Sequence, residues 1–137
     1  MIRSLRIQNF KCFRDETLAL RPLTLVVGAN AAGKSSLMQS LLLVQQAAET
    51  AGDYIKLNGP FGLDLGTTSD VLCQSGDASS EIAIDIEFEQ NETCTWRFEE
   101  QRKESFVLRV VRPEGAHPPA GAQPFDLTYL SAERMGP

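Results

Sequence analysis

The stretch Gly28-Ala29-Asn30-Ala31-Ala32-Gly33-Lys34-Ser35 constrains this chain more than any other. It satisfies the pattern G-x-x-x-x-G-K-[ST] without a substitution, between the apolar run 23–27 (LTLVV) and a segment of helical periodicity. Backbone N–H groups can surround a compact cluster of anionic oxygens only where few side chains intrude and the turn reaches unusual dihedrals, which Gly28 and Gly33 permit. A helix beginning near Lys34 adds unpaired N–H groups and the positive end of its dipole. The segment therefore reads as a phosphate-binding loop made of Gly28, Ala29, Asn30, Ala31, Ala32, Gly33, Lys34, Ser35 and Ser36. Lys34 is directed to β and γ phosphate oxygens and the Ser35 hydroxyl to Mg²⁺. The ligand this implies is a nucleoside triphosphate together with Mg²⁺, and the lack of a base-recognition motif for guanine favours ATP over GTP without deciding between them.

The flanking periodicities say how such a loop is carried. Residues 2–10 alternate, with Leu5 and Ile7 on one side and Arg6 and Gln8 on the other, and 16–22 give a second short strand, so a hairpin is expected. Leu and Val on successive positions in 23–27 predict a strand covered on both faces, delivering the loop from a mixed or parallel sheet. From Lys34 onward Leu37, Leu41, Val44 and Ala48 share one stripe with Met38 and Leu42 beside it, an amphipathic helix expected to close near Gly52 with a left-handed cap. Residues 57–80 are rich in Gly, Asp, Ser and Thr and read as a winding connection.

Strict alternation returns at Ile82, Ile84, Ile86 and Phe88, then at Cys94, Trp96 and Phe98, and again at Phe106, Leu108 and Val110. Short polar links join these runs, so an antiparallel meander with one solvated face is expected. The Pro/Gly/Ala-rich residues 113–124 read as a flexible loop, and 125–137 as a last strand and the segment leaving it. One compact domain over 1–137 is expected. It divides into hairpin, loop and helix (1–52), connection and meander (53–112), loop (113–124) and last strand (125–137).

A hydrophobic fraction of 42% and a charged fraction of 23% are ordinary for a globular chain of 137 residues and argue against disorder. No apolar run is long enough to span a bilayer and no signal-peptide pattern opens the chain, so no membrane contact and a cytoplasmic location are expected. The net charge of −5 conceals an asymmetry. Residues 1–35 hold six basic and two acidic side chains, leaving seven of the 13 basic and 16 of the 18 acidic residues to the remainder. A basic end suits a polyanionic ligand, and the acidic body disfavours strong nucleic-acid binding by this segment alone. Cys12, Cys73 and Cys94 have no metal-site spacing and His117 stands alone, so reduced thiols and no structural metal are expected.

Three phrases carry a resemblance to a known family. The opening 2–20, the loop and helix 28–43 and the closing 129–137 (YLSAERMGP) resemble the ABC-like ATPases of the SMC, RecF and OLD-nuclease kind, within a bacterial AAA ATPase subgroup. Residues 58–77 are similar to the segment that precedes the β-meander in that subgroup. The resemblance implies an α/β fold of the P-loop NTPase type, with 1–137 as an ABC/SMC-like N-terminal lobe with a mixed sheet, one main helix and an antiparallel β-meander. It implies that Asn9, Phe10, Lys11 and Cys12 form the turn beside the nucleotide, with Lys11 as a contact to phosphate or sugar, and that Asn30 is the loop asparagine. Many members have Gly where Ala31 stands. Glu133 and Arg134 fall in the phrase that closes the lobe, near the γ-phosphate or at the lobe interface, with structural salt bridging the equal alternative.

Hydrolysis needs an acidic Mg²⁺ partner and a residue that orients water, usually at the end of an apolar strand. Asp85 and Glu87 sit instead inside an alternating strand, Gln74 lies in an irregular stretch, and the catalytic residues are therefore unknown from this sequence. The first reading is an ATP-binding lobe of a DNA-associated or phage-defence ATPase, which hydrolyses ATP once completed by a second lobe and a dimer partner across the ATP site. An effector protein or DNA is the further partner this implies. The alternative is a non-catalytic nucleotide-binding sensor or interaction module, the outcome expected for the isolated chain. A small-molecule kinase fits less well, because the chain continues into a meander.

Overall fold

Alternating apolar positions build the sheet that organises this molecule. The computed structural model of the protein describes residues 1–59, 62–75, 79–111 and 128. Strands β1 (Ile2–Phe10), β2 (Phe13–Ala19), β3 (Tyr54–Lys56), β4 (Glu81–Phe88), β5 (Thr93–Glu99) and β6 (Val107–Val111) join in one sheet of order β2-β1-β4-β5-β6-β3. Every pairing is antiparallel. Leu5 lies opposite Ile86 and Ile7 opposite Ile84 between β1 and β4, and Ile82 lies opposite Phe98 between β4 and β5. All six side chains are fully buried.

Helix α1 (Lys34–Glu49) packs on this apolar face against β1 and β3. Leu37, Leu41, Leu42, Leu43, Val44 and Ala47 are buried and join the strand residues in a single core. At about 1.5–3 kcal/mol for each large aliphatic side chain withdrawn from water, this face holds the fold together. The helix closes at Thr50, whose N–H and Oγ1 both reach the Gln46 carbonyl, at 3.0 and 2.7 Å. Thr50 is extended there (φ −86°), so the expected left-handed cap at Gly52 is replaced by a side-chain cap two residues earlier.

Residues 23–27 depart most from the sequence reading. They form no strand, and Leu23, Leu25 and Val27 are 80%, 81% and 86% exposed. A strand covered on both faces needs neighbours on each edge and layers above and below, and the described residues supply neither. The expected mixed sheet is accordingly an antiparallel one. Two smaller corrections concern the meander. Cover runs out toward the start of β5, so Cys94 is exposed and Trp96 only half-buried while Phe98 is enclosed. Phe106 precedes β6 and is 63% exposed, and its role is to accept the Leu57 N–H through its carbonyl.

The described residues of the winding connection hold more regular structure than its composition suggests. It contains the short helix α2 (Thr68–Val71), where Asp70 accepts both the N–H and the hydroxyl of Thr67 at 2.8 and 2.9 Å. Thr68 is buried, with its hydroxyl donated to Glu100 at 2.6 Å. Among the described residues no helix is long and apolar enough to cross a membrane. The segments read as a loop (113–124) and as a last strand and lobe end (125–137), with Glu133 and Arg134, lie outside the described residues apart from Thr128.

Candidate functional site

The glycine loop lies directly before α1 and opens a cleft at the N-terminus of that helix. Ala31 and Gly33 take left-handed dihedrals, φ 66° and 95°, and Gly33 caps the helix, accepting the Leu37 N–H at 2.9 Å. No side chain caps this end and the first turn contains no acidic residue. The N–H groups and dipole of a 16-residue helix are thus left unneutralised where the loop meets it.

The cleft has a volume of about 360 Å³. One wall comes from the loop and helix: Asn30, Ala31, Gly33, Lys34, Ser35 and Ser36. The other comes from the β1–β2 turn through Lys11 and Cys12. Gly28, Ala29 and Ala32 do not line it. Gly28 and Ala29 act instead through their carbonyls, each of which accepts a hydrogen bond from Lys34 Nζ at 2.6 Å.

The two motif glycines have different duties. A Cβ at Gly33 would stand 2.5 Å from the Cys12 sulfur and 3.4 Å from Phe13, and its φ is unfavourable for any L side chain. A Cβ at Gly28 would meet only the Ala32 methyl at 3.3 Å. The close approach of hairpin to helix therefore depends on Gly33.

Lys11 is held from three directions. Its backbone is left-handed at φ 51°, its N–H donates to the Val71 carbonyl at 2.7 Å, and its Nζ donates to Gln39 Oε1 at 2.9 Å. Partial burial lowers its pKa from the ordinary lysine value, opposed by the more distant carboxylate of Asp70. Asn9 is also left-handed, at φ 57°, and its amide donates to the carbonyls of Ser79 and Glu81 at 2.9 and 2.8 Å, locking the end of β1 against β4. Asn9 thus supports the turn from behind and does not line the cleft. Phe10 between them is fully buried.

Gln39 and the carbonyl of Val71 were not singled out by the sequence. Gln39 lies four residues beyond Ser35, so it shares that residue's helix face, a spacing that is legible only once Lys11 is known to approach it. Asp85 and Glu87 point to the solvated face of β4, opposite the side that carries α1. Asp85 accepts the Thr95 hydroxyl at 2.7 Å and Glu87 the Ser4 hydroxyl at 2.8 Å. Among the described residues no three His, Cys, Asp or Glu side chains come together in a way that could hold a metal ion, and Ser35 lines the cleft.

A family model described as AAA ATPase domain matches residues 1–122. The OLD nuclease of Thermus scotoductus (strain ATCC 700910 / SA-01) is 43% identical to this chain over 44 residues, which is 32% of the chain and 8% of that protein. The match thus spans a small part of the nuclease's own length.

Proposed function

Since the chain belongs to the AAA ATPase domain family, in its SMC and OLD type, we propose that the cleft between the β1–β2 turn and α1 is its ATP site. Within a P-loop fold, the N–H groups of residues 31–36 would surround the phosphates, Lys34 and Lys11 would supply positive charge, and Ser35 would hold Mg²⁺. The observation that carries this reading is that two lysines, Lys11 and Lys34, line a cleft at a helix N-terminus that has no side-chain cap and no acid in its first turn. Mg²⁺ when bound adds charge neutralisation at the phosphates. The chain's own residues bind and orient them.

Titration calorimetry of the 137-residue chain with Mg-ATP tests the proposal. Saturable binding that Lys34→Ala abolishes is the expected result, and equal affinity in the two proteins removes the loop from the site. Turnover is a property of a larger assembly in this reading: a second lobe and a dimer partner complete the site, and DNA or an effector protein receives the resulting closure. For the chain alone we favour nucleotide binding without hydrolysis, because Asp85 and Glu87 are committed to hydroxyls on the far face of the sheet. ATP turnover by the isolated chain that disappears in Lys34→Ala would overturn this.

A further inference from the structure

We propose that Gln39 is a positioning residue of the phosphate cleft, fixing the Lys11 ammonium as a second cation whose charge is kept for the terminal, most anionic end of a polyphosphate. The inference rests on the ATP-site reading above and adds to it the group that sets how strongly tail length is felt.

The two ammonium groups of the cleft are held in different ways. Lys34 is engaged by two carbonyls of its own loop. Lys11 reaches in from the opposite wall and has one side-chain partner, the Gln39 amide oxygen. It forms no ion pair among the described residues, and Asp70 and Asp64 act on it only at longer range. The choice of partner matters. A carboxylate at position 39 would cancel the charge of Lys11 and repel an incoming phosphate, whereas an amide oxygen compensates part of the desolvation and leaves the full unit charge in place.

Geometry adds the remaining constraint. The Lys11 backbone is pinned by its bond to the Val71 carbonyl, so only the flexible side chain needs fixing, and Gln39 does so from the helix face that also presents Ser35. This hydrogen bond ties the β1–β2 turn to α1 one helical turn beyond Ser35, and so links the two elements that wall the cleft before any ligand enters. Lys11 gains its place at the cost of lost rotamer freedom, and the Gln39 bond means that this loss precedes binding.

The test is calorimetry on the full 137-residue chain with ATP, ADP and inorganic tripolyphosphate, comparing Gln39→Ala, Gln39→Glu, Lys11→Ala and the double variant Lys11→Ala/Gln39→Ala. For Gln39→Ala the expected result is a roughly threefold to tenfold loss of affinity for ATP and tripolyphosphate, with a smaller loss for ADP, so that the ATP-to-ADP ratio narrows. Gln39→Glu weakens ATP further than Gln39→Ala, and Gln39→Ala adds nothing once Lys11 is removed. Circular dichroism melting checks that each variant is folded, and a misfolded Gln39→Ala leaves the comparison to Gln39→Glu against the parent chain. The proposal is overturned by an unchanged ATP-to-ADP ratio, by additive losses in the double variant, or by tighter binding in Gln39→Glu. If the parent chain binds Mg-ATP through Lys34 while the Gln39 variants bind as it does, only this inference falls. If the parent chain binds neither ATP nor tripolyphosphate, the ATP-site reading falls with it.

Discussion

Lys34 Nζ lies 2.6 Å from the carbonyl oxygen of Ala29, five residues earlier in the same loop. With the matching bond to Gly28, the ammonium closes the loop on itself. A phosphate bound as proposed would draw Lys34 away from these two carbonyls, so part of its binding energy would go into opening them. Lys34→Ala should therefore separate two effects: a loss of about 100-fold in Mg-ATP affinity, from a missing charge-assisted contact of about 3 kcal/mol, and little change in the thermal midpoint of the unliganded chain. Calorimetry and differential scanning fluorimetry on one preparation read both. A large drop in the unliganded midpoint would show that the latch is mainly structural.

Gly33→Ala should destabilise the unliganded chain by about 1–3 kcal/mol in urea unfolding, because it forces a side chain into a left-handed site against the Cys12 sulfur. Gly28→Ala should cost less than about 1 kcal/mol, as its new methyl meets only that of Ala32. Replacing Cys12 by Ala in the Gly33→Ala background should recover part of the loss, the steric part, and leave the backbone part. Equal costs for the two glycines would contradict the different duties assigned to them.

Core and glycine-loop approach make opposite demands on apolar residues. Ile84→Ala should cost about 2–5 kcal/mol, as expected for an aliphatic side chain with no exposed surface. Leu25→Ser, at a side chain 81% exposed, should stay within about 0.5 kcal/mol. Urea midpoints of the two variants check the contrast. A severe loss at Leu25 would mean that residues 23–27 are packed in the folded chain.

These contrasts show where the sequence could be read and where it could not. Leu5, Ile7, Ile82, Ile84 and Ile86 are legible because a period of two leaves only one way to bury them, and the stripe of α1 follows from a period of 3.6. The run 23–27 is misread because its pattern reports only that its residues favour burial, while a strand also requires edges to pair with. Helix α2 is too short to carry periodicity, though Thr67 and Asp70 at cap spacing mark its start. The glycine loop, Lys34 and Ser35 are legible as a motif. Gln39 is not, since its significance arises from a hairpin turn 28 residues away in sequence.

Asp70 supplies a pH signature. Its hydrogen bonds from the Thr67 backbone, and then from the Thr67 hydroxyl, hold its pKa below the ordinary carboxylate value. A depressed pKa in the folded chain gives stability that is complete above the unfolded carboxylate range and fades as pH falls through the lower folded value. Asp70→Asn should therefore lower the thermal midpoint at neutral pH, and its deficit relative to the parent chain should shrink on acidification below the usual carboxylate range. A deficit that does not vary with pH would assign the effect to packing of α2.

The two walls of the cleft come from residues 11–12 of a hairpin and from residues 30, 31 and 33–36 of a loop and the helix it opens, with an excursion of chain between them. Anything lodged there fastens one to the other as a removable rivet. Occupancy would then be felt well beyond the atoms touched: amide protons along the hairpin should exchange with deuterium more slowly, and those of α1 with them, so that a small anion governs how independently two parts of one polypeptide breathe.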